Sequence, residues 1–339
     1  MTYLQQEIHY QPEAIKKSLA FNREVLDRLA VLYKKSGFRN IIIAARGSSR
    51  NACSYFKYLC EIYSGVNVTF VSPSAVTLYE GNIDFSGSFF LAVSQSGMGE
   101  DIIAVTRKAK AHGAYTVTMT NNSDSLLAKE GAEHIYMNCG EEFSVPATKT
   151  FTVQASLLAY FAGRLAESDE IISALDLLPA AAEKLISGEA DIERLAENFT
   201  DISEVIILGR GLCASLMDEM CLKMKETTYI NASCYTIPDF YHGPFALADG
   251  KRKFVLIKGR GKGFADAAEM EKRLLENDNE PFILSDIAGS GDFILPELPE
   301  PVSPVIYVIF MQILVLKLAL KKGINPDSPR GLKKITVTR

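Results

Sequence analysis

The chain has 339 residues, with 36 basic and 41 acidic side chains and a formal net charge of −5. At about 150 residues per domain that length predicts about two domains, and 47% hydrophobic against 23% charged residues excludes a disordered chain. The mild acidity excludes the basic footprint of a nucleic-acid binder.

The opening MTYLQQEIHYQPEAIKKSL has no apolar run behind a basic start, so no secretory leader is expected and a cytoplasmic location is. Apolar strand signals follow at Asn40–Ala45, Phe89–Ser94, Tyr115–Thr120 and Glu133–Met137. Helical patterns alternate with them at Ser49–Ser64, Glu100–His112, Ser123–Gly131 and Lys149–Arg164. Continuous β-branched runs between helices predict βαβ units and a parallel sheet covered on both faces. An Ala-, Glu- and Leu-rich stretch without strand signal then predicts a helical linker over residues 171–198. The rhythm resumes with strands at Glu204–Gly209, Lys253–Lys258 and Pro281–Ser285. Val305–Leu316 is the most apolar stretch, and at fewer than about 20 residues it predicts a buried core helix rather than a membrane span.

One offset relates the halves. Arg46-Gly47 and Arg210-Gly211 stand 164 residues apart (46 to 210), as do Leu91-Ala92-Val93 and Val255-Leu256-Ile257 (91 to 255). The reading is a duplicated α/β chain: a first domain over 1–170 with an N-terminal helix, the linker over 171–198, and a second domain over 199–339. Six cysteines form no CxxC pair and four histidines are scattered, so neither a disulfide framework nor a metal site is expected.

Two turns are rich in small hydroxyl and amide side chains: Arg46–Asn51 (RGSSRN) and Ser94–Gly99 (SQSGMG). In parallel sheets ligands bind beyond the carboxyl ends of strands, and helix N-termini with hydroxyl donors suit a phosphate. Ser48, Ser49, Ser94, Gln95 and Ser96 could hold such an anion, or the serines could simply cap helices. The Gly259–Gly263 run lacks hydroxyls and reads as a flexible turn. On the helix after Gly211, Cys213, Leu216, Met217, Met220, Cys221 and Met224 define a buried face. Glu219, Lys223 and Glu226 form a separate charged stripe, and such a stripe is ordinarily a solvated face with intrahelical ion pairs. His242 stands alone in a loop before Gly243-Pro244, and the chain ends in a polar tail with a short terminal strand.

Taken together, ARGSS (45–49), VSQSG (93–97), EFSVPATKTFT (142–152), GRG (209–211), LKMKETTYINA (222–232), HGPFAL (242–247) and NPDSPRGLKKITVT (325–338) resemble the sugar isomerase (SIS) family. Within it the chain resembles specifically the isomerase half of glutamine–fructose-6-phosphate amidotransferase, and the similarity covers essentially the whole chain. The resemblance implies two tandem SIS domains, each a parallel sheet flanked by helices, flavodoxin- or Rossmann-like. The family's glutaminase nucleophile is a cysteine after the start methionine, where this chain has Thr2, so glutamine hydrolysis is not expected.

The resemblance also assigns roles. Ser48, Ser49, Ser94, Gln95 and Ser96 would bind phosphate and sugar, and Val145 and Glu219 would line the site. Glu226 would move a proton between C1 and C2, and Lys223 would steady the enediol or enolamine charge. His242 would open the sugar ring, reaching the partner's site in a homodimer. Lys334, or its neighbour Lys333, would form an imine with an open-chain ketose. No metal or redox cofactor, no nucleic acid and no membrane is implied.

Gly99 replaces a threonine phosphate donor, Pro146 and Ala147 alter the sugar-contact loop, and Arg46 and Arg50 add charge beside the first serine turn. These departures suggest a substrate other than plain fructose 6-phosphate with ammonia. The expected activity is deamination or deglycation of an aminated sugar 6-phosphate coupled to aldose–ketose isomerisation. The alternatives are a plain phosphosugar isomerase and a sugar-phosphate sensor without chemistry.

Overall fold

The computed structural model of the protein describes residues 1–334. The chain forms two compact units, and each contains one five-stranded parallel sheet. The short strand expected at the end of the tail lies outside the described residues.

The first sheet comprises β1 (Ile41–Ala45), β2 (Val68–Phe70), β3 (Phe89–Val93), β4 (Tyr115–Thr120) and β5 (Glu133–Tyr136), in the order β2-β1-β3-β4-β5. Every residue of β1 and β3 is buried, as expected of central strands covered on both faces. Ile42, Ala44, Phe90 and Ala92 pack with Ile102 and Val105 of the Glu100–Ala111 helix. Across the sheet, Phe56 of the Gly47–Leu59 helix stacks on Phe161 of the Lys149–Ala166 helix, with ring centroids 5.6 Å apart.

The second sheet comprises β6 (Glu204–Gly209), β7 (Asn231–Thr236), β8 (Lys253–Ile257), β9 (Phe282–Ser285) and β10 (Phe293–Ile294), ordered β10-β9-β8-β6-β7. Matching β6 to β1 and β8 to β3 by the 164-residue offset gives the same strand order in both sheets, which bears out the duplicated α/β reading. The match reaches single side chains. Arg46 Nε pairs with Asp101 Oδ2 at 2.9 Å, and Arg210 Nε pairs with Asp266 Oδ2 at 2.8 Å. In each sheet the pair ties the first strand–helix turn to the helix that follows the third strand.

The Ser303–Lys321 helix is long and apolar enough to cross a bilayer by length and composition, yet 94% of its apolar window is buried inside the fold. Each fully buried Val, Leu, Ile or Phe there contributes about 1.5–3 kcal/mol relative to exposure. It packs against the Met217–Thr228 and Glu189–Leu195 helices. Residues 171–198 are helical as expected, in Asp169–Ser187 and Glu189–Leu195, and close with a 3₁₀ turn at Ala196–Phe199.

The units interleave along the chain, whereas the sequence predicts contiguous boundaries at 170 and 198. Among the described residues the unit with β1 takes Glu13–Glu142, Lys149–Leu175 and residues 333–334. The unit with β6 takes Met1–Pro12, Phe143–Thr148 and Asp176–Leu332. Its first two segments are held there by Asp327, whose carboxylate accepts from the backbone N–H groups of Tyr3 and Leu4, and whose carbonyl accepts from Val145 N–H.

Candidate active site

The serine turns lie at the carboxyl ends of β1 and β3, which pair in register from Ile41↔Phe89 to Ala45↔Val93. The strand order reverses between these two strands, so right-handed crossovers send the following helices to opposite faces, the place where open parallel sheets bind ligands. Arg46 enters the first turn extended, and the Gly47–Leu59 helix begins with no side-chain cap. Ser48 and Ser49 lie inside its first turn, half-buried and buried, so neither caps it.

In the second turn Ser94 Oγ accepts from Gly97 N–H at 3.2 Å and Ser96 Oγ from Met98 N–H at 3.3 Å. These are loop-internal bonds, and no side chain caps the Glu100–Ala111 helix from its N-cap Gly99. Gln95 is half-buried and its carbonyl accepts from Asn121 N–H at 2.9 Å. Gly97 takes φ +65°, and a Cβ there would collide with the Ser125 hydroxyl. None of the four serines is the N-cap residue of its helix, and all stand at or just before a helix whose N-cap residue makes no side-chain bond.

The equivalent turn of the second sheet is built differently. Arg260, at the place of Ser96, donates from its backbone N–H to Asp286 Oδ1 at 2.8 Å, from Nε to Asp286 Oδ2 at 3.1 Å and from Nη1 to Glu297 at 2.7 Å. The sequence reads this segment as flexible, but these bonds fasten it. The Glu300 carboxylate occupies the space that a side chain on Gly261 would need. Burial first, then the Asp286 and Glu300 carboxylates, push the nearby Cys213 thiol up to about 12.

The Met217–Thr228 helix carries the charged stripe. Its Cys213–Met224 apolar face is buried as the spacing predicts, and the first turn of that stretch, Gly211–Leu216, is 3₁₀. The stripe is not solvated. Glu219 is 0% and Lys223 1% exposed, and Lys223 Nζ lies 3.3 Å from Glu219 Oε1 and 2.6 Å from Glu226 Oε2. Glu226, 21% exposed, is the member that solvent or a ligand can reach.

Lys334 is half-buried, and its Nζ sits 3.0 Å from Oε2 of the fully buried Glu142. Glu142 also accepts from Thr150 N–H at 3.1 Å and Thr150 Oγ1 at 2.7 Å. Sequence reasoning gives Glu142 no role, because an acidic residue in a Ser/Pro/Thr segment looks like a loop residue. The available signal was its position at the start of the EFSVPATKTFT motif.

The remaining two residues stand elsewhere in the unit with β6. Val145 is half-buried and its N–H donates to Asp327 O at 2.9 Å. His242 ends the Ile237–Tyr241 helix, exposed, with its N–H on Asp239 O. Among the described residues no hydrogen bond or ion pair joins His242 to Glu226. The structure thus gathers Glu219, Lys223 and Glu226 into one group, the five serine-turn residues at one sheet edge, and Lys334 onto Glu142.

Comparison with known proteins agrees with this fold. Residues 35–164 match the SIS domain. The isomerizing glutamine–fructose-6-phosphate aminotransferase of Pyrococcus horikoshii is 32% identical over 99% of this chain, and the chain spans 58% of that relative's length. The C-terminal domain of glucosamine-fructose-6-phosphate aminotransferase from Francisella tularensis superposes with a TM-score of 0.85 at 26% identity, covering 97% of this chain and 98% of that one. Glucosamine-6-phosphate deaminase from Thermotoga maritima shares the fold, with a TM-score of 0.79 at 20% identity over 99% of this chain and 100% of that one. Residues 35–164 thus match the SIS domain, and the two parallel sheets of matching order give the chain the fold of the aminotransferase isomerase domain on which it superposes.

Proposed function

We propose that the protein moves a proton between C1 and C2 of an aminated sugar 6-phosphate and so converts its carbon–nitrogen single bond into an imine. Water then hydrolyses the imine, releasing the amine and leaving the aldose or ketose phosphate. The observation that carries this reading is the Glu219–Lys223–Glu226 group: a buried ammonium held between two carboxylates, one of them accessible.

Glu226 serves as the carboxylate that takes and returns the proton, a role that contributes about 10²–10⁴-fold to rate. Lys223, fixed by Glu219, sets a positive charge directly behind Glu226, where it favours the negative charge of the enediol or enolamine with no reorganisation required at that moment. The serine turns supply hydroxyls and helix N–H groups for the 6-phosphate. Glu142 supports Lys334 as the amine of an imine step by holding its Nζ in place and offering an acceptor for the proton it gives up. His242, exposed on its loop, suits ring opening at a partner's site in a homodimer, since one imidazole nitrogen can donate a proton while the other accepts one. The aminotransferase relatives are named as isomerizing enzymes, which supports the proton transfer.

The test is NMR in D₂O with a panel of hexose and amino-hexose 6-phosphates and fructosamine 6-phosphates. Deuterium is expected at C1 or C2 together with release of the amine, and Glu226→Gln is expected to lower exchange by about 10²–10⁴-fold while phosphosugar binding persists. Exchange of plain hexose phosphates alone would identify a simple isomerase. Saturable binding without exchange would identify a sensor, and full exchange by Glu226→Gln would remove Glu226 from the mechanism.

A further inference from the structure

The segment that carries Val145 is gripped from two sides within the unit that holds β6. On one side stands Glu7 of the Tyr3–His9 helix, a carboxylate 4% exposed. It accepts from Phe143 N–H at 2.5 Å, from Ser144 N–H at 3.3 Å and from the Ser144 hydroxyl. On the other side stands Asp327, in the tail that leads to Lys334. Its Oδ1 accepts from Leu4 N–H at 2.7 Å and its Oδ2 from Tyr3 N–H at 2.9 Å, and its carbonyl accepts from Val145 N–H at 2.9 Å. The Tyr3 and Phe143 rings close the arrangement at 5.2 Å.

We propose that Asp327 is a positioning residue that fixes the backbone of Val145 through a two-oxygen hold on the first helix. The physical argument is one of anchoring. A carboxylate that accepts two backbone N–H groups at the start of a helix is locked in place, because both bonds are charge-assisted and the helix dipole favours the negative charge. The carbonyl of the same residue is then locked too, and it holds the Val145 N–H. Glu7, projecting from the helix so anchored, holds the two preceding residues. One side chain thereby sets the position of three consecutive backbone amides, Phe143, Ser144 and Val145. An asparagine has only one acceptor oxygen and no charge, so Asp327→Asn breaks one of the two bonds and weakens the other while preserving shape. The consequence for substrate rests on the reading above, in which Val145 lines the phosphosugar site; the positional claim does not.

The experiment is amide hydrogen–deuterium exchange on the full chain, wild type against Asp327→Asn, with steady-state kinetics on any phosphosugar the wild type turns over. Exchange of the Val145 amide is expected to rise about tenfold or more while Val255 and Leu256 of β8 stay protected. In parallel, KM is expected to rise with kcat nearly constant, the signature of lost uniform binding. Unchanged protection at Val145 overturns the proposal, and so does equal deprotection of β8, which would make Asp327 a general stabiliser. Faster Val145 exchange with unchanged kinetics upholds the positioning and overturns the assignment of Val145 to the sugar site. Where no substrate turns over, the exchange measurement alone decides.

Discussion

Lys223 shows how one residue concentrates both energy and chemistry. Its ammonium is 1% exposed and lies between the Glu219 and Glu226 carboxylates, which offset its desolvation. Lys223→Met leaves Glu219 charged and fully buried, and is expected to cost about 3–5 kcal/mol in urea denaturation. The double change Glu219→Met/Lys223→Met removes the stranded charge and is expected to recover most of that loss, since a buried pair replaced by apolar groups is often neutral. Equal destabilisation of the single and double variants would show that Glu219 needs no counter-ion. The spacing of 219, 223 and 226 is readable in the sequence, because a 3.6-residue period puts them on one face. Whether that face is covered is not readable, since the cover is packing from elements distant along the chain.

At the scale of elements, β4 and β5 carry a pH-sensitive contact. His134 Nε2 on β5 lies 2.9 Å from Thr120 Oγ1 on β4, and burial lowers its pKa from the ordinary value of 6.5. Above that value both folded and unfolded chains hold a neutral imidazole, and the residue adds no pH dependence. As pH falls through 6.5 the unfolded chain takes the proton first, so the unfolded state binds more protons and stability drops. The melting temperature is therefore expected to decline in the window below pH 6.5 more steeply for wild type than for His134→Gln. Parallel curves for the two would discard the assignment. The strands that sequence reasoning finds, β1, β3, β4, β5, β6, β8 and β9, are mostly continuous apolar runs. It misses β2, β7 and β10. β2 and β10 are short edge strands, three and two residues long, and β7 is an edge strand of sequence NASCYT. An edge strand buries less and so needs less apolar pattern, and pairing with a strong neighbour suffices to form it.

At the scale of the whole molecule, the duplication is written in a fixed offset and in a strand order shared by both sheets, with the paired Arg46–Asp101 and Arg210–Asp266 contacts as its finest trace. One difference between the halves lies in a loop. The serine turn after β3 has its counterpart in the Gly259–Gly263 turn after β8, and there Glu300 lies over Gly261 while Asp286 and Glu297 occupy Arg260. In the proposed function the turn after β3 seats a phosphate, and its counterpart after β8 is already filled by a carboxylate of the chain itself. Titration calorimetry is accordingly expected to saturate at one phosphosugar per chain, with Glu300→Ala admitting a second, weaker inorganic phosphate. Two equivalent sites in the wild type would refute this. A carboxylate tethered to the chain cannot diffuse away, so the turn after β8 keeps its anion at every concentration of ligand in solution.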